Sequence, residues 1–329
     1  MKPFCARAAR ALIAAAVSVT LLAGFAPSAG RTRSEASHVV VTPAQAKAAV
    51  TAWSQRIDTA LPSFDVNILS QVEAPPLLAL DTPVFQDAKA RGAPAPPVTT
   101  ISNVIVYVPK QTSYPAQFLA HIEGSLGFNA MYLFVKTSKH DPWKAIYQTN
   151  LLANATLPDV ALDRHGYATT IPERQAKRQL KIDPATLSRA YSDFLNQSAQ
   201  ANAPASSAIF SPDIAQQLLS ALANSPIPPG QHVFTYAAAD YPTYSYRTRD
   251  GGAFSLVAVS SDIRATASGG AAITFSQPLF GLGPGQRYQS TDIHGMFLVG
   301  LSVPPGTTAA LVTSPAEYDA VTSANGVPT

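Results

Sequence analysis

Residues 41–62 read V-T-P-A-Q-A-K-A-A-V-T-A-W-S-Q-R-I-D-T-A-L-P. Thr42 stands where a helix cap belongs, Pro43 suits the first helical position, and Gln45 is placed to complete a capping box. Val50, Trp53, Ile57 and Leu61 then return at intervals of three and four, which is the spacing of one apolar helix face. Pro62 ends or bends that helix. The next stretch, S-Q-V-E-A-P-P-L-L-A-L-D-T-P-V-F-Q-D (70–87), reads as a second, broken helix or as a lid over an apolar cavity.

The syntax changes after R-G-A-P-A-P-P (91–97). Strand-like runs follow at Ile101 to Val108, Asn129 to Val135 and Lys144 to Leu151, with a further one through Tyr167 to Ile171. Their short lengths and intervening turns fit an antiparallel sheet better than parallel crossovers. The order then repeats. Asp183 and Pro184 open a helix with Leu187, Tyr191, Phe194 and Leu195 on one side, and Ser211 and Pro212 open another. Behind them come H-V-F-T-Y, Y-S-Y-R-T, A-F-S-L-V-A-V-S, A-A-I-T-F-S, M-F-L-V-G-L-S-V and T-A-A-L-V-T, with Gly251-Gly252 and Gly269-Gly270 as turns. The expected fold class is α+β, with two domains, 38–175 and 183–322, each having helices packed against a curved antiparallel sheet.

Residues 1–30 read as an export signal. Lys2, Arg7 and Arg10 precede an apolar core of roughly 13 residues, shorter than the ~20 of a spanning helix, and small residues follow near Ala29. The single cysteine, Cys5, would leave with that segment, so the mature chain would have no disulfide. L-L-A-G-F (21–25) has Phe25 where a lipoprotein signal places its lipid-accepting cysteine. The expected product is therefore secreted or held outside the cytoplasm at the cell envelope without a lipid anchor, touching membrane only peripherally. The formal charge of +3 comes from 23 basic and 20 acidic residues, and the three basic residues before position 30 account for it. A near-neutral mature chain does not point to nucleic acid. I-P-E-R-Q-A-K-R-Q-L-K-I-D-P (171–184), with Arg174, Lys177, Arg178 and Lys181, reads as a solvated seam between the domains.

Chemical motifs are sparse. Asp163 with His165 and Asp292 with His294 each set a carboxylate two residues from an imidazole, the spacing of one strand face, but each is followed by Gly and reads as a turn. His121 and Glu123 raise the same question without an H-E-x-x-H pattern. Ser125 in E-G-S-L-G is one place out of the nucleophile-elbow register. G-L-G-P-G-Q (281–286) lacks dinucleotide-loop and Walker spacing. No catalytic residue, metal or cofactor is assigned. The strongest binding signal is Tyr241, Tyr244, Tyr246 and Arg247, where flat apolar surfaces adjoin directional donors, as a cleft for an envelope lipid, glycan or protein segment requires.

R-T-R-D-G-G-A-F-S-L-V-A-V (247–259) and M-F-L-V-G-L-S-V-P-P-G (296–306), in a chain of helices then strands behind an export signal, resemble uncharacterised actinobacterial exported protein and lipoprotein families with cystatin-like or NTF2-like domains. The resemblance extends from about Ala44 to Val321 and implies no catalytic residue. The expected function is nonenzymatic binding or structural support at the cell envelope. The alternative is a hydrolase acting on an envelope glycan or lipid.

Overall fold

The computed structural model describes residues 39–329 apart from 154, 174–178, 224–230 and 276–277. The expected export signal, Cys5, Phe25, and Arg174, Lys177 and Arg178 of the basic seam lie outside the described residues. No helix among the described residues is long and apolar enough to cross a membrane.

Helix α1 (Pro43–Ala60) begins as its sequence requires. Thr42 Oγ1 accepts from Gln45 N–H at 3.3 Å, and Gln45 Oε1 accepts from Thr42 N–H at 2.9 Å, closing the capping box. The 70–87 stretch is broken: α2 (Val66–Val72) ends at Glu73, and α3 (Leu77–Ala90) starts after Pro75 and Pro76. Asp65 caps α2 by accepting from Asn67 and Ile68 N–H.

Among the described residues, ten strands form one sheet: β1 (Ile101–Tyr107), β2 (Ala116–Gly124), β3 (Asn129–Lys136), β4 (Lys144–Leu151), β5 (Thr170–Ile171), β6 (Gln231–Ala238), β7 (Tyr244–Arg247), β8 (Ala253–Thr266), β9 (Tyr288–Val303) and β10 (Thr313–Pro328). Their order is β1-β2-β3-β4-β10-β9-β8-β7-β5, all neighbours antiparallel, with β6 also on β8. Helices and an antiparallel sheet make the fold α+β. Strands from both halves share the sheet, joined where β4 meets β10 at Ala316–Leu151 and Glu317–Asn150 and where β5 of the first half pairs with β7 of the second at Thr170–Tyr246 and Ile171–Ser245. The two ends of the order also meet, since Ala168 N–H donates to Val108 O at 2.8 Å.

Cross-strand register follows from the pleat, because paired residues share a face. Ile122, Ala130, Asn150, Glu317, Val299 and Val257 lie on one face. That face carries the helices of both halves. Trp53 of α1 packs 4.7 Å from Tyr132 and 5.5 Å from Phe134, between ring centroids. Tyr191 and Phe194 of α4 (Pro184–Ala201) and Ile214 of α5 (Pro212–Ala223) share a core with Val257, Val299 and Leu301. The opposite face curls inward and buries Leu119, Leu133, Tyr147, Leu256, Ala258 and Leu298. Gly300 keeps this interior closed up, since a Cβ there would stand 2.6 Å from Cζ of Phe254.

Two long elements depart from the sequence reading. Residues 271–275 of A-A-I-T-F-S form only isolated bridges, at Ile273 and Phe275, and the last strand starts at Thr313, the final residue of T-A-A-L-V-T, and runs on to Pro328.

Candidate functional site

Strand β4 parts from β10 immediately beyond their two paired positions. The opening is taken up by the chain between α2 and α3: Glu73 bridges Ala145, and Ala74 N–H donates to Ala145 O at 3.0 Å. Helix α3 then passes over the parting, against β10, β4 and β9. Pro75 and Pro76 suit this use, because a chain that pairs briefly with a strand and then turns into a helix loses nothing by lacking two N–H groups.

At that parting lies a cavity of about 700 Å³ between α1–α3 and the sheet. Trp53, Leu69, Phe85, Ile122 and Phe128 supply its apolar wall, and Tyr132, Gln148 and Asn150 project from the helix-bearing face. Glu73, Asp81, Glu317, Tyr318 and Asp319 line it as well. No Lys, Arg or His is among the wall residues described.

Two of the carboxyls, Glu73 and Asp81, are joined to each other and to Tyr318. Tyr318 hydroxyl donates to Asp81 Oδ1 at 2.8 Å. Glu73 and Asp81 share a side-chain hydrogen bond, and both are buried. Burial, with Asp81 beside it, raises the Glu73 carboxyl well above the usual range. Asp81 is pushed up to about 7 by burial, opposed by the hydrogen bonds from Tyr318 and Glu73. Glu317 is raised to about 7 by burial and then by neighbouring Asp319. Two wall residues that are almost wholly buried hold a polar atom without a partner among the described residues. They are Glu73, 3% exposed, at Oε2, and Trp53, 7% exposed, at Nε1.

The tyrosine strip singled out in the sequence lies elsewhere. Tyr246 is fully buried among Phe254, Leu256 and Ala258, and Tyr244 meets Tyr147 with ring centroids 5.9 Å apart. Tyr241 packs partly against the same core. Arg247 donates from Nη1 to Gly251 O at 2.9 Å and from Nη2 to Gln179 Oε1 at 2.7 Å. None of these four residues lines the cavity.

The histidine pairs are engaged locally. Asp163 Oδ1 accepts from His165 and Tyr167 N–H, as a turn requires. Asp292 and His294 do not form the expected turn but lie within β9, where Asp292 pairs with Arg264 and His294 with Asp262 across to β8. His121 Nε2 lies 2.6 Å from Asn129 Oδ1, with Glu123 Oε1 3.9 Å away. Ser125 Oγ accepts from Thr100 N–H at 3.1 Å. Among the described residues no three His, Cys, Asp or Glu side chains are grouped to hold a metal ion.

Residues 37–321 match the domain of unknown function DUF8094. The chain belongs to the DUF8094 family. One curated relative is the uncharacterized lipoprotein SCO2278 of Streptomyces coelicolor, 24% identical over 159 residues, which are 47% of this chain and 47% of that protein. The match therefore spans about half the length of that relative. No solved structure matches the chain. The family range contains every wall residue of the cavity, so the parting of β4 and β10 belongs to the DUF8094 domain itself.

The 70–87 stretch is the expected broken helix, and Glu73, Asp81, Val84 and Phe85 from it line the cavity. Glu73, Asp81, Glu317 and Tyr318 were not singled out, because they come from two segments more than two hundred residues apart. The one local signal was Asp81 within L-L-A-L-D-T-P, a carboxylate following an apolar run on a helix meant to be buried.

Proposed function

We propose that this chain is an extracytoplasmic, nonenzymatic binding protein of the cell envelope, and that the cavity between α1–α3 and the sheet is its binding site. The observation that carries this reading is the roughly 700 Å³ space with an aromatic wall and a few convergent polar groups, the usual composition of a small-molecule site. The partner is an envelope small molecule, with lipid or glycan as the source. The lipoprotein relative supports the compartment. It gives the expected lack of a lipid anchor no support. Helices over a curved antiparallel sheet in each half support a reading as two related units of cystatin-like or NTF2-like kind.

The neutral dye Nile red tests the site. Saturable, blue-shifted fluorescence is expected from the wild type and not from Ser54→Trp, which places a large ring at the cavity wall on α1. Equal dye binding by a folded Ser54→Trp protein overturns the assignment.

The hydrolase alternative rests on one observation, the Glu73–Asp81 carboxyl pair, in which Asp81 is raised to the range a general acid or base needs.

A further inference from the structure

We propose that the cavity takes a neutral single-chain lipid, with its chain against the apolar wall and its hydroxylated head on the side-chain amides of Gln148 and Asn150. This rests on the cavity being a binding site and names the class of molecule it holds.

Two amides on β4 have hydrogen-bonding capacity to spare. Gln148 stands opposite Tyr132 and Asn150 opposite Ala130 on β3, so both project from the helix-bearing face into the cavity, and both are half-buried. Gln148 Nε2 donates to Asn150 Oδ1 at 3.1 Å, which leaves Gln148 Oε1 and the Asn150 Nδ2 donors without a partner among the described residues. Turning both amides over would exchange the free groups between the two residues and still leave one acceptor and one pair of N–H donors. These atoms are open to the space, whereas Glu73 Oε2 and Trp53 Nε1 are sealed in. An acceptor beside a donor, on residues two apart on one strand face, matches adjacent hydroxyls such as those of a glyceryl head.

The remaining wall specifies what carries that head. Leu69, Ile122 and Phe128 offer aliphatic and aromatic surface, and Leu126, itself a wall residue and 47% exposed, brings the same surface out to the opening. At about 30 Å³ for each water-sized unit of a liquid, a space of about 700 Å³ holds a molecule of roughly 20 non-hydrogen atoms, which is one acyl chain with a small head and not a two-chain phospholipid. No Lys, Arg or His among the described wall residues would pair with an anionic head. Glu73 and Asp81 are turned to each other and to Tyr318, not to a cationic one. A neutral head loses least on leaving water, and the free amides replace the hydrogen bonds it gives up.

Displacement of Nile red from the full chain by monodecanoylglycerol, decanoate, decylammonium and maltose tests this at about pH 8, where the acid and the amine are both charged. Monodecanoylglycerol is expected to bind at least about tenfold more tightly than each of the other three. Gln148→Met keeps the length of the side chain and removes its amide, so it should weaken monodecanoylglycerol about fivefold, as the loss of one hydrogen bond does. Unchanged Nile red binding by Gln148→Met shows that the fold and the cavity are intact. If decanoate, decylammonium or maltose matches monodecanoylglycerol on the wild type, or if Gln148→Met binds monodecanoylglycerol undiminished, the neutral-lipid inference fails and the binding site stands. If Nile red binds and none of the four displaces it, the inference also fails, while the binding site is decided separately by the Ser54→Trp comparison.

Discussion

At the scale of single residues, burial of Asp81 has a direct electrostatic consequence. Its carboxyl is near the ordinary value of about 3.9 when unfolded and about 7 when folded. Between those values the folded state holds the extra proton, so unfolding free energy falls as pH rises through the window, by up to about 1.4 kcal/mol per pH unit for this group. The protein is therefore expected to melt lower at about pH 8 than at about pH 5. Asp81→Asn keeps an acceptor for Tyr318 and removes the titration, so calorimetry should show a smaller drop between the two conditions. An undiminished drop would mean that other groups account for it. The pair it makes with Tyr318 joins positions 237 apart in the chain, and a sequence read residue by residue gives such a pair no signature.

Elements differ in how far their own residues specify them. Helix α1 is local throughout: Thr42, Pro43 and Gln45 set its start, and Trp53 at one face meets Tyr132. Thr42→Ala removes the cap acceptor and is expected to cost about 1 kcal/mol, read as a lower midpoint in urea at unchanged slope. Strand β4 likewise has the bounds its alternation suggests, Lys144–Leu151. Strand β10 is the opposite case. T-S-P-A-E-Y-D-A-V-T-S-A-N-G-V-P holds two prolines, a glycine and few large apolar residues, and it is extended because β9 pairs with it along nearly its whole length. Strand β2 has a similar history, with A-Q-F-L-A-H-I-E-G buried on both faces between β1 and β3 and hence lacking clean alternation.

The whole molecule is organised by the meeting of β4 with β10. The pairing is two residues long, yet it makes one sheet of strands drawn from both halves, and the chain from Glu73 into α3 reinforces it. Both tryptophans, Trp53 and Trp143, lie in the first half, whereas far-UV circular dichroism reports on all strands. Coincident urea transitions by the two probes are expected from the shared sheet. Separate midpoints would show that the halves unfold independently.

The succession of capped helices and short strands, repeated once, was legible in the sequence because caps, proline positions and apolar periodicity act within a few residues. So was the break at 70–87. The site was not. Of the tyrosines read as a binding strip, Tyr246 is buried on the inner face by the pairing of β7 with β8, while Tyr241 and Tyr244 are half-buried. Only the tertiary structure decided that β4 and β10 separate, that Glu73 and Asp81 enter the gap, and that Tyr318 meets Asp81 there. Strand pairing and burial couple distant residues through space, and no local spacing records that coupling.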